Sequence, residues 1–98
     1  MATRHQRFAL RDVTFAGLEM PGATLDRWEV PGGARWSARL VTRRPPPCDA
    51  GELVGRTLDG RLVSGHAVVA DRQPAEGRAE LVVFQGTGDL DGLDDRAS

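Results

Sequence analysis

The chain has 98 residues, 13 basic and 14 acidic, for a net charge of −1, so no global field draws it toward nucleic acid or an anionic membrane. That length suits one compact domain and excludes an enzyme with a cleft between two domains. All 13 basic residues are arginine, and without lysine there can be no Schiff base, no pyridoxal phosphate attachment and no GxxxxGK[ST] phosphate loop.

Isoleucine, asparagine and tyrosine are also missing, which fits a GC-rich coding bias. Cys48 is the single cysteine, so an internal disulfide and a cysteine-rich zinc site are excluded and a reducing compartment is expected. Met1 to Leu10 carries Arg4, His5, Gln6 and Arg7 rather than the apolar stretch of a signal peptide. No run approaches the ~18 apolar residues of a membrane span. The expectation is a soluble, cytoplasmic protein with no membrane partner.

Twelve glycines and six prolines punctuate short apolar runs of strand length. Phe8 to Leu18 alternates, loses phase at Arg11 and Asp12, and resumes at Val13 and Phe15, which predicts a β-bulge near Asp12. Thr24 to Val30 and Ala34 to Thr42 flank Pro31-Gly32-Gly33. A three-residue loop there sets Val30 against Ala34, Glu29 against Arg35 and Trp28 against Trp36. One face then carries Val30, Trp28, Ala34, Trp36, Ala38 and Leu40, and the other Glu29, Arg27, Arg35, Ser37 and Arg39. This segregation favours the three-residue register, with Trp28 and Trp36 as a buried cross-strand pair.

Arg43 to Gly51 contains three consecutive prolines and cannot be a central strand; it is expected to cross between strands. Glu52 to Leu58 and Arg61 to Ala70 flank Asp59-Gly60, a strong hairpin signal. Apolar residues on both faces of that pair (Leu53, Leu62 and Val68 against Val54, Val63 and Val69) predict a hairpin covered on both sides for part of its length. Arg72 to Gly77 reads as a turn and Arg78 to Gln85 as a last strand. The expected architecture is all-β: a small single-domain antiparallel β-barrel or sandwich of about six strands, with no substantial helix. It spans residues 1–90, with a core including Trp28, Trp36, Leu40, Val68, Val83 and Phe84. A flexible acidic C-terminal tail is expected over 91–98.

Several residue patterns suggest chemistry and fail on spacing. Gly86-x-Gly88-x-x-x-Gly92 follows a strand, but the third glycine is displaced and no helix is expected after it to hold a pyrophosphate. Asp89, Asp91, Asp94 and Asp95 resemble part of a calcium loop that lacks its position-12 glutamate and its flanking helices. Ser64, His66 and Asp71 suggest a hydrolase triad, yet side chains two apart on a strand stand about 6.5 Å apart and the nucleophile elbow is missing. Cys48 with His66 or His5 suggests a thiolate dyad, against which Asp49 disfavours the thiolate. Two distant histidines and one cysteine give no metal-ligand spacing.

Arg35, Arg39, Arg43 and Arg44 form the one basic concentration. Single-strand binding requires aromatics among such arginines, and the three-residue register puts both tryptophans on the opposite face. The expected function is therefore a non-catalytic module for protein interaction or assembly, with a protein partner or self-association and with no cofactor or metal. The alternative is an OB-like nucleic-acid-binding barrel using the arginine stripe.

Overall fold

The computed structural model describes residues 4–93. Its strands are β1 (Arg4–Phe15), β2 (Leu18–Met20), β3 (Ala23–Val30), β4 (Gly33–Thr42), β5 (Ala50–Thr57), β6 (Leu62–Pro74) and β7 (Glu80–Gly86). Every pairing is antiparallel. The seven strands form one sheet in the order β2-β1-β3-β4-β7-β6-β5, and β5 pairs in turn with β1. That last pairing returns the hydrogen-bonded circuit to its start, so the all-β fold is barrel-like with β2 as a short appendage. Among the described residues there is no helix, hence none long and apolar enough to cross a membrane.

The punctuation in the sequence explains most of this layout. Asp12 has φ 53°, and the register of β1 against β5 shifts between Arg11 and Thr14. This is the predicted bulge, and it lets Phe8 and Leu10 before it and Val13 and Phe15 after it all face inward. The proline segment carries the chain from β4, which lies between β3 and β7, across to β5, which lies between β6 and β1. Asp59-Gly60 turns the β5–β6 hairpin, with Gly60 at φ 93°.

The β3–β4 connection differs from the expectation by one residue. Val30 pairs with Gly33, so the loop is Pro31-Gly32 alone, and Arg27 rather than Trp28 lies opposite Trp36. Proline at the first central position and glycine at the second, here with φ 90°, suit a type II turn. The three-residue register rested on keeping charge off the apolar face. In the closed fold the inward-facing Arg27 and Glu29 sit at the mouth of the barrel, where Arg27 donates to Glu29 at 2.8 Å and to Gln6 at 3.2 Å. Their charges are satisfied there, and Trp28 turns outward.

The core is built by the inward faces. Phe15 and Phe84 meet with ring centroids 4.6 Å apart, surrounded by Leu25, Leu53, Val63 and Val82. Of the expected core residues, Trp36, Leu40 and Phe84 are buried, whereas Trp28, Val68 and Val83 are half-buried on the outer surface. Val68 pairs with Gln85 and Val83 with Arg39, which fixes both on the outer face. The β5–β6 hairpin is likewise covered on one side only: Leu53 and Val63 point in, while Leu62 is 54% exposed. A sheet closed on itself has one interior, so apolar residues on both faces of a strand do not imply two covers.

β6 continues through a second irregularity at Ala70 to Pro74, because β7 supplies a partner along its length. Of the expected turn Arg72 to Gly77, Arg72 to Pro74 are therefore strand and the reversal falls at Ala75 to Ala79, and Arg72 forks onto Glu80 at 2.7 and 2.8 Å. Beyond β7 the chain crosses the barrel end as a strap. Asp91 exchanges backbone hydrogen bonds of 2.8 and 3.1 Å with Ser64, and Leu93 is buried. The packed domain thus reaches Leu93, past the expected boundary at residue 90, and residues 94–98 of the expected tail lie outside the described residues.

Candidate binding face

The registers of β1, β3 and β4 arrange their outward side chains in rows. His5, Trp28 and Arg35 form one row, Arg7, Asp26 and Ser37 the next, and Ala9, Thr24 and Arg39 the third. Successive rows are two residues, or roughly 6.6 Å, apart along each strand. One continuous surface therefore carries Trp28, His5 and three arginines around a single carboxylate. Beyond Arg39, which pairs with Val83, Val41 pairs with Leu81 to make an apolar strip.

Asp26 is the centre of this surface. It points outward yet is only 2% exposed, because its neighbours fold over it. Arg7 Nε donates to Oδ1 at 2.7 Å, and His5 Nε2 donates to the same oxygen at 2.8 Å, which requires the Nε2–H tautomer. Arg39 approaches Oδ2 at 3.3 Å. Desolvation pushes the Asp26 carboxyl upward, but the hydrogen bonds from Arg7 and His5 and the charges of Arg7 and Arg39 outweigh it and hold the group below its ordinary value. His5 also stacks on Trp28, with ring centroids 5.2 Å apart and planes 17° from parallel.

A pH dependence follows. A carboxyl whose value falls on folding adds stability above its unfolded value and loses that contribution as pH drops through the folded one. Chemical denaturation of the native chain and of Asp26→Asn should therefore show their largest stability difference above about pH 5, with the difference shrinking below about 3.8, the ordinary aspartate value. A difference that stays constant from pH 7 to pH 2 would contradict the ion network.

The arginines singled out in the sequence divide. Arg35 and Arg39 share the outer face of β4, as alternation predicts. Arg43 and Arg44 lie past its end in a bend closed by Thr42, whose hydroxyl donates to the Arg44 carbonyl at 2.8 Å and accepts from the Arg44 N–H at 3.0 Å. They do not extend the stripe. His5, Arg7, Asp26 and Trp28 belong to the face and were not expected there; a two-residue Pro-Gly turn places Asp26 and Trp28 beside the β4 arginines.

The other candidate groups stay apart. The His66 ring hydrogen-bonds Thr87 at 2.6 Å, Ser64 engages Asp91 through its backbone, and Asp71 accepts from Arg72 N–H and Gln73. Cys48 is exposed, with its thiol donating to the Ala50 carbonyl at 3.1 Å. Gly86, Gly88 and Gly92 belong to β7 and the strap. Among the described residues no three His, Cys, Asp or Glu side chains converge as a metal site. A cavity of about 310 Å³ lies under the strap, lined by Arg27, Trp36 and Asp89 to Gly92, with no Ser, His or Cys in its wall.

No family model, no curated protein and no solved structure matches this chain. The reading of function rests on the outer face alone.

Proposed function

We propose that this domain is a non-catalytic protein-interaction module that docks an acidic segment of a partner on the outer face of β1, β3 and β4. The observation that carries this reading is the row arrangement: Trp28, Arg7, Arg35 and Arg39 share one face, bordered by Val41, Leu81 and Val83. Aromatic and arginine side chains grouped beside apolar residues are the composition of interface hot spots, and the surplus of positive charge selects an acidic partner. Arg35→Glu combined with Arg39→Glu should abolish association with a partner isolated on the native chain and reconstituted from purified components. A partner retained by this charge-reversed double variant would overturn the reading.

A second reading, single-stranded nucleic acid, is favoured by one specific observation: Trp28 stands directly opposite Arg35 on the arginine-bearing face. Aromatics interleaved with arginine are what a stacking platform needs. If Arg7, Arg35 and Arg39 each meet a phosphate, oligonucleotide affinity falls with salt at a log–log slope of about −2. A slope near zero removes this reading.

A further inference from the structure

We infer that Arg7 and Arg39, held in place by the buried carboxylate of Asp26, form a receptor for the carboxylate side chains of an acidic protein segment, an inference that rests on the interaction-module reading above. A buried carboxylate needs compensation, which one well-placed arginine can provide. Asp26 instead receives both Arg7 and Arg39 and a further hydrogen bond from His5, more than its own burial requires.

The surplus is directed outward. Arg7 binds Asp26 through Nε, so both terminal nitrogens, which form the fork that matches a carboxylate, have no other side-chain partner among the described residues. Arg39 reaches Asp26 with one terminal nitrogen. The two side chains remain 56% and 44% exposed despite these bonds. Arg35, in the row beyond, has no ion pair or side-chain hydrogen bond among the described residues. Arg7, Arg35 and Arg39 against Asp26 leave a local charge of +2 with His5 neutral, on a chain whose total is −1.

Fixing matters as much as charge. A free arginine loses rotamer freedom when it grips an anion, whereas one already anchored at Nε has lost most of it beforehand. Because both guanidinium groups touch one carboxylate, neighbouring acidic side chains of a single segment can reach both. The His5–Trp28 stack walls one side, and the strip of Val83, Val41 and Leu81 receives apolar residues on the other. Asp26 is thus a positioning residue, acting on the ligand through the arginines.

The two tryptophans make the test direct. Trp28 lies on the proposed face, while Trp36 is buried with its indole N–H held by the Gly88 carbonyl. In a nitrogen-15 correlation spectrum of the full chain, titration with hexaglutamate should move the Trp28 indole resonance and leave that of Trp36 in place, with hexaserine moving neither. Arg7→Gln with Arg39→Gln should weaken hexaglutamate binding by about tenfold or more, the unmoved Trp36 resonance reporting that the fold is intact. Asp26→Asn separates fixing from field: by charge alone it tightens anion binding, and the receptor requires that it weaken several-fold.

Tighter binding by Asp26→Asn, or unchanged binding by the double glutamine variant, would overturn the receptor while leaving the interaction face intact. A dodecathymidylate strand that moves Trp28 at concentrations where hexaglutamate does not would overturn both in favour of nucleic acid. No movement of Trp28 with either probe would overturn the receptor.

Discussion

Replacing Trp36 by alanine is expected to lower the free energy of unfolding by about 3 to 5 kcal/mol, against about 1 kcal/mol for Trp28→Ala. The two indoles lie in adjacent pairs of the β3–β4 register, Trp28 opposite Arg35 and Trp36 opposite Arg27, and the difference comes from which way each points. Trp36 is 2% exposed, packed in the core cluster with Ala38 and Leu40, and its indole N–H donates to the Gly88 carbonyl at 2.9 Å. Truncation opens a cavity, leaves that carbonyl without its donor and loosens the strap that carries Leu90 and Leu93. Trp28 loses mainly its stack on His5. Urea unfolding of the two variants measures the contrast, and near-equal losses would show that the faces of β3 and β4 are wrongly assigned. Fluorescence gives an independent check. With Trp28→Phe the remaining emission should be blue-shifted and resistant to acrylamide, and with Trp36→Phe it should be redder and readily quenched.

That contrast also marks where the sequence stops being sufficient. Local chemistry was legible: the phase change at Asp12 is the bulge, Asp59-Gly60 is the hairpin, and the prolines after Thr42 carry the crossover. Each signal is contained in a few neighbouring residues. The register of β3 on β4 was not, because Pro31-Gly32-Gly33 supports both a two-residue and a three-residue loop and the choice rested on avoiding inward charge. The barrel mouth, where Arg27 and Glu29 are paired, removes that objection, but the mouth exists only once β5 closes against β1.

The binding face shows the same division. Arg35 and Arg39 follow from simple alternation along β4. Asp26 acquires meaning only through Arg7 and His5, which lie 19 and 21 residues away and reach it by the pairing of β1 with β3. The N-terminal arginine and histidine have no apolar alternation of their own to announce a strand. Ala16 and Gly17, which reverse the chain between β1 and β2 at φ 52° and 84°, lack the usual Asn-Gly or Asp-Gly signature.

Gly86→Ala is the second substitution with a large expected effect, a loss of about 3 kcal/mol. An added Cβ at this position would lie 2.2 Å from Trp36 Cε2 and 2.3 Å from Nε1, so the methyl group and the indole cannot occupy their native places together. Gly65, two residues along β6 from the partner of Gly86, is nearly as tight, with Trp36 Cζ2 at 2.7 Å and the Asp89 carbonyl oxygen at 3.0 Å. The indole is therefore packed against two bare backbones of the β6–β7 wall. Neither glycine has a positive φ, so the penalty is one of space and not of backbone conformation. This distinction gives the test its form. If space is the cause, Trp36→Leu should make Gly86→Ala far less damaging, and the two substitutions together should destabilise by at least 1 kcal/mol less than the sum of their separate effects, since residues in direct contact couple. If the effects simply add, the indole does not lie against Gly86 and its placement beneath the strap is wrong.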